Sequence, residues 1–329
     1  SPSRGLGDVY KRQAYFLLAR LALNAEVYSD DDWTDKLKQD GTKIYFQVGG
    51  QSLNAWQTTV AYCDSLTEIG YSLEKNYVDN FVVSNEHSRE NIFTIPMDKT
   101  LYATVFKNLF RTLHYVHGSA LGRGAENGSS ATLSTLSTFG YGTPHQDPRF
   151  EFNFFADTVK VDDKVVMINK TTPLVYRPLS IKMQLTGAKY EKTAGARMKK
   201  YEIDRTAFDD GKLQNNDIVL YRYADALLMR SEALIRQGLN GDKSLNTVRN
   251  RVGLPGLSNA TLYDVFKERR LELVWEGTHR QDLIRYGRFH HAYEERPQLE
   301  NESNGYTTVF PIPARMLQMN HLLKQNPGY

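Results

Sequence analysis

The sequence predicts a mainly α-helical protein made of tetratricopeptide-like helix pairs, interrupted by irregular loop insertions and a few short strands. Three observations lead there. Apolar residues recur at three-to-four spacing in the first seventy positions and again after Asp217, which lays one face of a helix on a neighbour. Capping residues and glycines bracket those runs. Between them, Gly118 to Pro148 is rich in Gly, Ser, Thr and Asn with isolated aromatics, and so long an irregular stretch in a compact protein is usually functional or disordered.

The first helix is predicted over Ala14 to Val27, with Ala14, Leu17, Leu18, Leu21 and Ala25 on one face. A second runs from the N-cap Asn54 to Ile69, carries Trp56, Val60, Cys63 and Thr67 along a stripe, and stops at Gly70. The two form an antiparallel pair with Asp30 to Gly50 as an insertion between them. Asn91 to Pro96 is short and β-branched enough for a strand, and Thr158–Val161 and Lys164–Ile168 are weaker strand signals. A helix from an Asp217 cap to Gly238 buries Ile218, Tyr221, Ala224, Leu227, Leu228, Ser231 and Leu234. A shorter one spans Lys243 to Arg251, before the turn Gly253–Gly256. Thr261 opens the next with Asp264 three residues on as a capping box, turning Leu262, Val265, Phe266 and Leu273 inward until Gly277. Such pairs bury their faces by stacking on the next pair, although no strict period is present.

Composition narrows the function. The 329 residues are 40% hydrophobic and 24% charged, an ordinary globular balance. The 41 basic and 38 acidic side chains leave a net charge of +3, scattered rather than striped, which argues against nucleic acid as a partner. Cys63 is the only cysteine, so no internal disulfide exists, and its place on an apolar stripe makes it a core residue. No apolar run approaches a membrane span, and the mean hydropathy is −0.52. Residues 1–13 lack the apolar centre of a signal peptide and share no period with the helix after them. They read as a non-native or disordered leader to a single domain over 14–329, itself a fragment whose amino-terminal part is missing.

In KERRLELVWEGTHRQDLIRYG, Glu268, Arg269, Arg270, Glu272, Glu276, Arg280, Asp282 and Arg285 interleave with apolar residues. Paired carboxylates roughly 5–10 Å apart could cleave a glycoside. Arginines three to four residues away would instead hold them ionised, and a structural network is the expectation. His290 with Glu294 and His291 with Glu295 offer two ligands per helix face, short of a metal site. Gly122 to Gly128 neither follows a clear strand nor opens a helix as a phosphate loop would, and no Gly-x-Ser-x-Gly elbow is present. Neither a metal nor a cofactor is expected.

The aromatics, 20 Tyr, 15 Phe and 3 Trp, carry more information. Sugars stack their C–H faces on rings and bring hydroxyls that need polar partners. Tyr115, Phe139 and Tyr141 flank the irregular stretch, which also holds His114, Asn127, His145, Gln146 and Arg149. The competing reading has Phe139 and Tyr141 anchoring the loop.

The runs LYRYADALLMRSEAL, LNTVRNRVGL and ERRLELVWEGTHRQDLIRYGRF, with the terminal PIP and QNPGY, resemble the SusD/RagB family of outer-membrane nutrient-binding lipoproteins. LLARLALNAEVY, the run from GYSL to NF, and RENIFTI fit the same pattern upstream. The resemblance implies a tetratricopeptide-like helical fold held on the cell surface by a lipid. It also implies capture of an oligo- or polysaccharide for delivery to a SusC-like TonB-dependent transporter, without catalysis. The strong motifs, including Arg270, Glu272, Glu276, Arg280 and Asp282, look structural and do not place the ligand. The candidate site is therefore positional, Asp98 to Arg149, with Asp98, His114, Tyr115, Asn127, Phe139 and Tyr141 as candidate ligand contacts. A glycan-active hydrolase and a peptide-binding tetratricopeptide-like scaffold remain the alternatives.

Overall fold

The computed structural model describes residues 6–35, 37–101, 111–206, 213–292 and 295–329, the side chains of 6–9 excepted. Its first layer is α1 (Leu6–Leu23), the one-turn α2 (Ala25–Tyr28) and α3 (Ala55–Glu68). Contacts run in opposite directions along α1 and α3. Tyr15 stacks on Tyr62, whereas the Thr59 hydroxyl donates to the Ala19 carbonyl, so the pair is antiparallel as expected. The buried face of α1 differs from the expected one: Phe16, Ala19 and Leu23 point inward, and Leu17, Leu18 and Leu21 are exposed. The helix has two apolar faces, and the one with small Ala19 admits close approach of α3 while Phe16 stacks 4.5 Å from Tyr221. The helix also starts at Leu6, inside the segment read as a leader.

Asn54 caps α3 in a reciprocal box with Gln57, and Gly70 leaves it at φ +93°. Within the insertion, β1 (Tyr45–Val48) and β2 (Gln51–Asn54) form a hairpin not expected from the sequence. Gly49 and Gly50 both have positive φ, the requirement of a two-residue turn matched to strand twist. A second strand pair joins β3 (Asn91–Ile95) to a segment expected to be helical, Ile218–Arg222. Asp217 does not cap a helix there. Its carboxylate accepts from the Thr94 hydroxyl and the Met97 N–H, each at 2.9 Å, and pairing with β3 holds the β-branched Ile218-Val219 extended.

Short two-residue strands lie between these. They are β4 (Phe154–Phe155), β5 (Asp157–Thr158), β6 (Lys160–Val161), β7 (Lys164–Val165) and β8 (Val175–Tyr176). With β9 (Arg197–Met198) they pair as β4–β9, β5–β8 and β6–β7, and the Ile218–Arg222 strand completes the series as β10. The stretch from Gly118 to Pro148 is not wholly irregular. It contains the end of α4 (Tyr115–Ala120) and all of α5 (Leu133–Thr138), and α6 (Phe150–Asn153) comes directly after it.

The second helical layer is α7 (Tyr223–Arg236), α8 (Asp242–Arg251), α9 (Leu262–Glu272) and α10 (His279–Arg285). α7 runs antiparallel to α3: Tyr223 meets Thr67, Arg230 meets Asp64, and Arg236 lies over the Trp56 ring. The α7–α8 turn is tight, because a Cβ on Gly241 would fall 2.7 Å from the Ser231 carbonyl. The Thr261–Asp264 capping box forms, although α9 ends at Glu272 rather than Gly277. Phe16, Trp56, Cys63, Leu66, Leu228, Leu245 and Val265 share one core across both layers. Near the chain end, after α11 (Ala314–Met319), Gln325 bonds both backbone groups of Ile312 and Asn326 donates to the Phe310 carbonyl. PIP and QNPGY therefore form one structural unit.

Candidate ligand-binding surface

The acidic and basic residues of α9 and its continuation form two buried networks. In one, Arg149 spans Asp147 (2.8 Å), Glu268 (2.7 Å) and Glu272 (2.9 Å). Arg222 joins Glu272 (2.5 Å) to Glu90 and Glu276 (2.8 Å each), Arg251 also binds Glu90 and Glu272, and Lys200 closes on Glu276. In the other, Arg269 joins Asp225 to Asp282, and Arg285 joins Asp282 to Glu232. The structural expectation holds for Glu268, Arg269, Glu272, Glu276, Asp282 and Arg285, but most partners come from distant elements rather than three or four residues away. Arg270 instead donates to the Ser134 hydroxyl, and Arg280 stacks on Phe289 and Phe310.

Burial alone would raise the Glu272 carboxyl. Arg251, Arg222 and Arg149 outweigh it and hold the group well below the usual range, and Glu276 is lowered likewise by Arg222 and Lys200. Burial brings Lys200 down to about 8, partly offset by Glu276. Glu272 and Glu276 are thus held ionised, whereas an acid catalyst needs a carboxyl that is protonated at neutral pH.

The six residues singled out from the sequence fall into three neighbourhoods. His114 caps α4, its ring accepting from the Val116 N–H at 3.2 Å and its own backbone N–H donating to the Tyr176 hydroxyl at 2.9 Å. Burial, then Arg197 and Lys192, lower its ring below the ordinary histidine value. Next to it Tyr115 stands 51% exposed, its ring 5.5 Å from the imidazole. Asn127 joins the same neighbourhood: its N–H bonds the Leu113 carbonyl and its side-chain amide donates to the Lys192 carbonyl, which Arg197 also contacts. A φ of +54° aims it there, a conformation that asparagine tolerates better than most residues.

Phe139 and Tyr141 lie elsewhere. Phe139 is 1% exposed, edge-on to Phe154 at 5.0 Å, so its ring has no face for a ligand and anchors the loop. Tyr141 is half-buried, packs 4.9 Å from Phe150 and donates to the Asp157 carboxylate at 2.8 Å. Burial, then that carboxylate, raise its phenol to about 12. Asp98 closes its own turn through Thr100 and Leu101. Arg149 is fully buried and pins the loop. Of the His–Glu pairs considered for a metal, Glu294 lies outside the described residues, and Glu295 accepts from the Ser134 N–H.

Tyr141 and Gln146 open onto a cavity of about 440 Å³ that adjoins, across shared Phe155, Lys160 and Lys199, another of about 530 Å³ bordered by Val78, Phe152 and Tyr201. The two adjoining cavities are the candidate cleft. Phe152 is 40% exposed, and the Lys199 ammonium lies 5.7 Å over the Phe155 ring while donating to the Glu151 carbonyl. Also on the cleft lining, Arg205 pairs with Asp162 at 2.5 Å. Phe152, Phe155 and Tyr201 lie beyond the Asp98–Arg149 window. The signal that could have found two of them is the run Phe150-Glu151-Phe152-Asn153-Phe154-Phe155, which holds more rings than one face can bury.

The described residues thus combine a scaffold of helix pairs, acids paired inside it and an aromatic cleft built by the loops. The chain belongs to the SusD family, whose model matches residues 51–329. It is 29% identical over 135 residues to the starch-binding protein SusD of Bacteroides thetaiotaomicron, covering 39% of this chain and 24% of that protein. It is 30% identical over 135 residues to a SusD-like protein of Formosa agariphila, covering 36% and 25%. The matched stretch thus spans about a quarter of each relative. Among solved structures, surface glycan-binding protein A of B. thetaiotaomicron matches with a TM-score of 0.63 at 20% identity, over 96% of this chain and 63% of that one. A SusD superfamily protein of Parabacteroides distasonis matches with a TM-score of 0.64 at 18% identity, over 97% and 63%. These likenesses establish the mainly helical SusD fold.

Proposed function

We propose that the protein binds oligo- or polysaccharide without cleaving it, at the outer face of the outer membrane, where a lipid anchor holds the full-length protein, and passes the glycan to a SusC-like TonB-dependent transporter. The observation that carries the binding reading is the pairing of an aromatic cleft with acids locked by arginine. Rings at Tyr141, Phe152 and Phe155 suit sugar C–H faces, while Gln146 and Asp157 suit hydroxyls. Exposed Tyr115 beside Asn127 adds a second contact area. Family membership and the names of the relatives, starch-binding and surface glycan-binding, support the ligand class. Single sugar contacts are weak, so affinity would arise from several subsites.

Calorimetric titration against a panel of soluble polysaccharides, with reducing-end assays run in parallel, tests this. Binding without product release is expected; release of oligosaccharide would favour a hydrolase, and failure on every glycan would remove the reading. Co-purification with an outer-membrane transporter from native membranes tests delivery, and its absence after crosslinking would remove that part.

A further inference from the structure

The near-even charge of the chain conceals one concentration. Residues 164–200 hold nine of its 41 basic side chains and only one of its 38 acidic ones, Glu191. Six of the nine, Lys164, Lys170, Arg177, Lys182, Lys189 and Lys192, fall on a lobe built from β5 to β8 and the loop that follows. The Val166 N–H donates to the Val159 carbonyl at 3.0 Å and the Leu174 N–H to the Val166 carbonyl at 2.8 Å. These bonds close the lobe around a small core of its own, Val159, Val166, Leu174 and Tyr176. Alternation along the chain then turns Val165 and Met167 out to solvent.

Unlike the arginines of the two buried networks, none of these six cations pairs with a carboxylate among the described residues. The five lysines are exposed and Arg177 is half-buried. The Arg177 guanidinium lies 4.2 Å over the Tyr190 ring, and the Lys189 ammonium is 5.2 Å from the same ring. Ile168, Arg177, Lys189, Tyr190 and Lys192 line one hollow of about 360 Å³, so apolar and cationic groups share a single surface. Glu191 is the one acid there, and it accepts from the Gly187 N–H. The loop between Arg177 and Lys189 adds Leu179 and Met183, 69% and 70% exposed.

We infer that this lobe is a docking surface for an anionic lipid bilayer, its lysines laid against the headgroups and Ile168, Leu179 and Met183 entering the interface. Binding to a membrane surface grows with the apolar area inserted and with the attraction of basic residues to anionic headgroups, and one lobe carries both. Lysine suits that boundary, because its stem passes along apolar groups while the ammonium stays in water. A protein partner fits less well: lysine is depleted from protein–protein interfaces, and five of the six cations are lysine. None of the six lines the cleft, so the inference stands apart from glycan binding.

The test is co-sedimentation of the full chain, produced without any attached lipid, with vesicles of equal parts phosphatidylcholine and phosphatidylglycerol, and with phosphatidylcholine alone. Binding is expected only to the anionic vesicles, and it should fall as salt rises from about 0.1 to about 1 M, which shortens the screening length from ~10 to ~3 Å. Lys170→Gln, Lys182→Gln and Lys189→Gln combined should weaken it roughly 100-fold, about fivefold for each charge. Leu179→Gln with Met183→Gln should weaken it several-fold through lost apolar insertion. Both variants change exposed side chains only, so circular dichroism and the thermal midpoint should match the parent. Glycan titration of the same variants reads the cleft and should also match. The proposal is overturned if neutral vesicles bind equally well, if either variant binds vesicles as the parent does, or if heparin or single-stranded DNA is bound at the same salt while vesicles are not.

Discussion

Glu272 shows how one side chain can hold an architecture together. It receives Arg149, Arg222 and Arg251 at once, linking the start of α6, β10 and α8 to α9. Removing one partner of a buried pair leaves an uncompensated charge, so Glu272→Ala should destabilise the protein by ~3–5 kcal/mol, read as a lower urea midpoint with little change in slope. An unchanged midpoint would show that the network is not a clamp. Phe139 and Phe152 make a second contrast. Phe139→Ala empties a core position and should cost ~3–5 kcal/mol of stability. Phe152→Ala is expected to leave the thermal midpoint nearly unchanged while weakening glycan binding about 2- to 10-fold, the size of one aromatic contact. Equal effects on stability from the two variants would contradict the assignment of Phe152 to the cleft.

Among the elements, α3 was legible from sequence because its signals are local: Asn54 and Gly70 act within one turn of the helix ends, and the structure adds Gln57 as the reciprocal partner of Asn54. Asn54→Ala should cost ~1 kcal/mol in chemical denaturation; no loss would mean that tertiary packing alone sets the helix start. The Ile218–Arg222 strand was not legible as a strand. Ile218, Tyr221, Ala224 and Leu228 continue a helical period without a break, and only pairing with β3, more than a hundred residues earlier, makes the first of them extended. The inward face of α1 failed for a related reason: leucines outnumber alanines on one side, yet close helix approach favours the side with the small residue.

Across the whole molecule, the two ion networks tie both helical layers to the loops that build the cleft. Burial would raise Glu232, but Arg285 and Arg236 bring its carboxyl down to about 2 from an ordinary 4.5. A carboxylate depressed in the folded state contributes stability that is fully present above its unfolded value and lost as pH falls through the folded one. Glu272 and Glu276 shift in the same direction. Unfolding monitored by circular dichroism should therefore set in as pH drops below about 4.5 and proceed towards about 2. Full stability retained at the lower limit would show that these pairs do not support the fold.

Much of this was legible in the amino-acid order alone: the helical class, the caps at Asn54 and Thr261, the family, and the pairing of Glu268, Glu272 and Asp282 with basic side chains. Those properties come from period, caps and motif order, which are short-range and survive without coordinates. The tertiary structure decided which face of α1 is buried, that Ile218–Arg222 is a strand, which distant arginine meets each acid, and that Phe139 is an anchor while Phe152 and Phe155 line a cleft. Each of these depends on the competition of remote segments for the same space and the same hydrogen bonds, and neighbouring residues carry no record of its outcome.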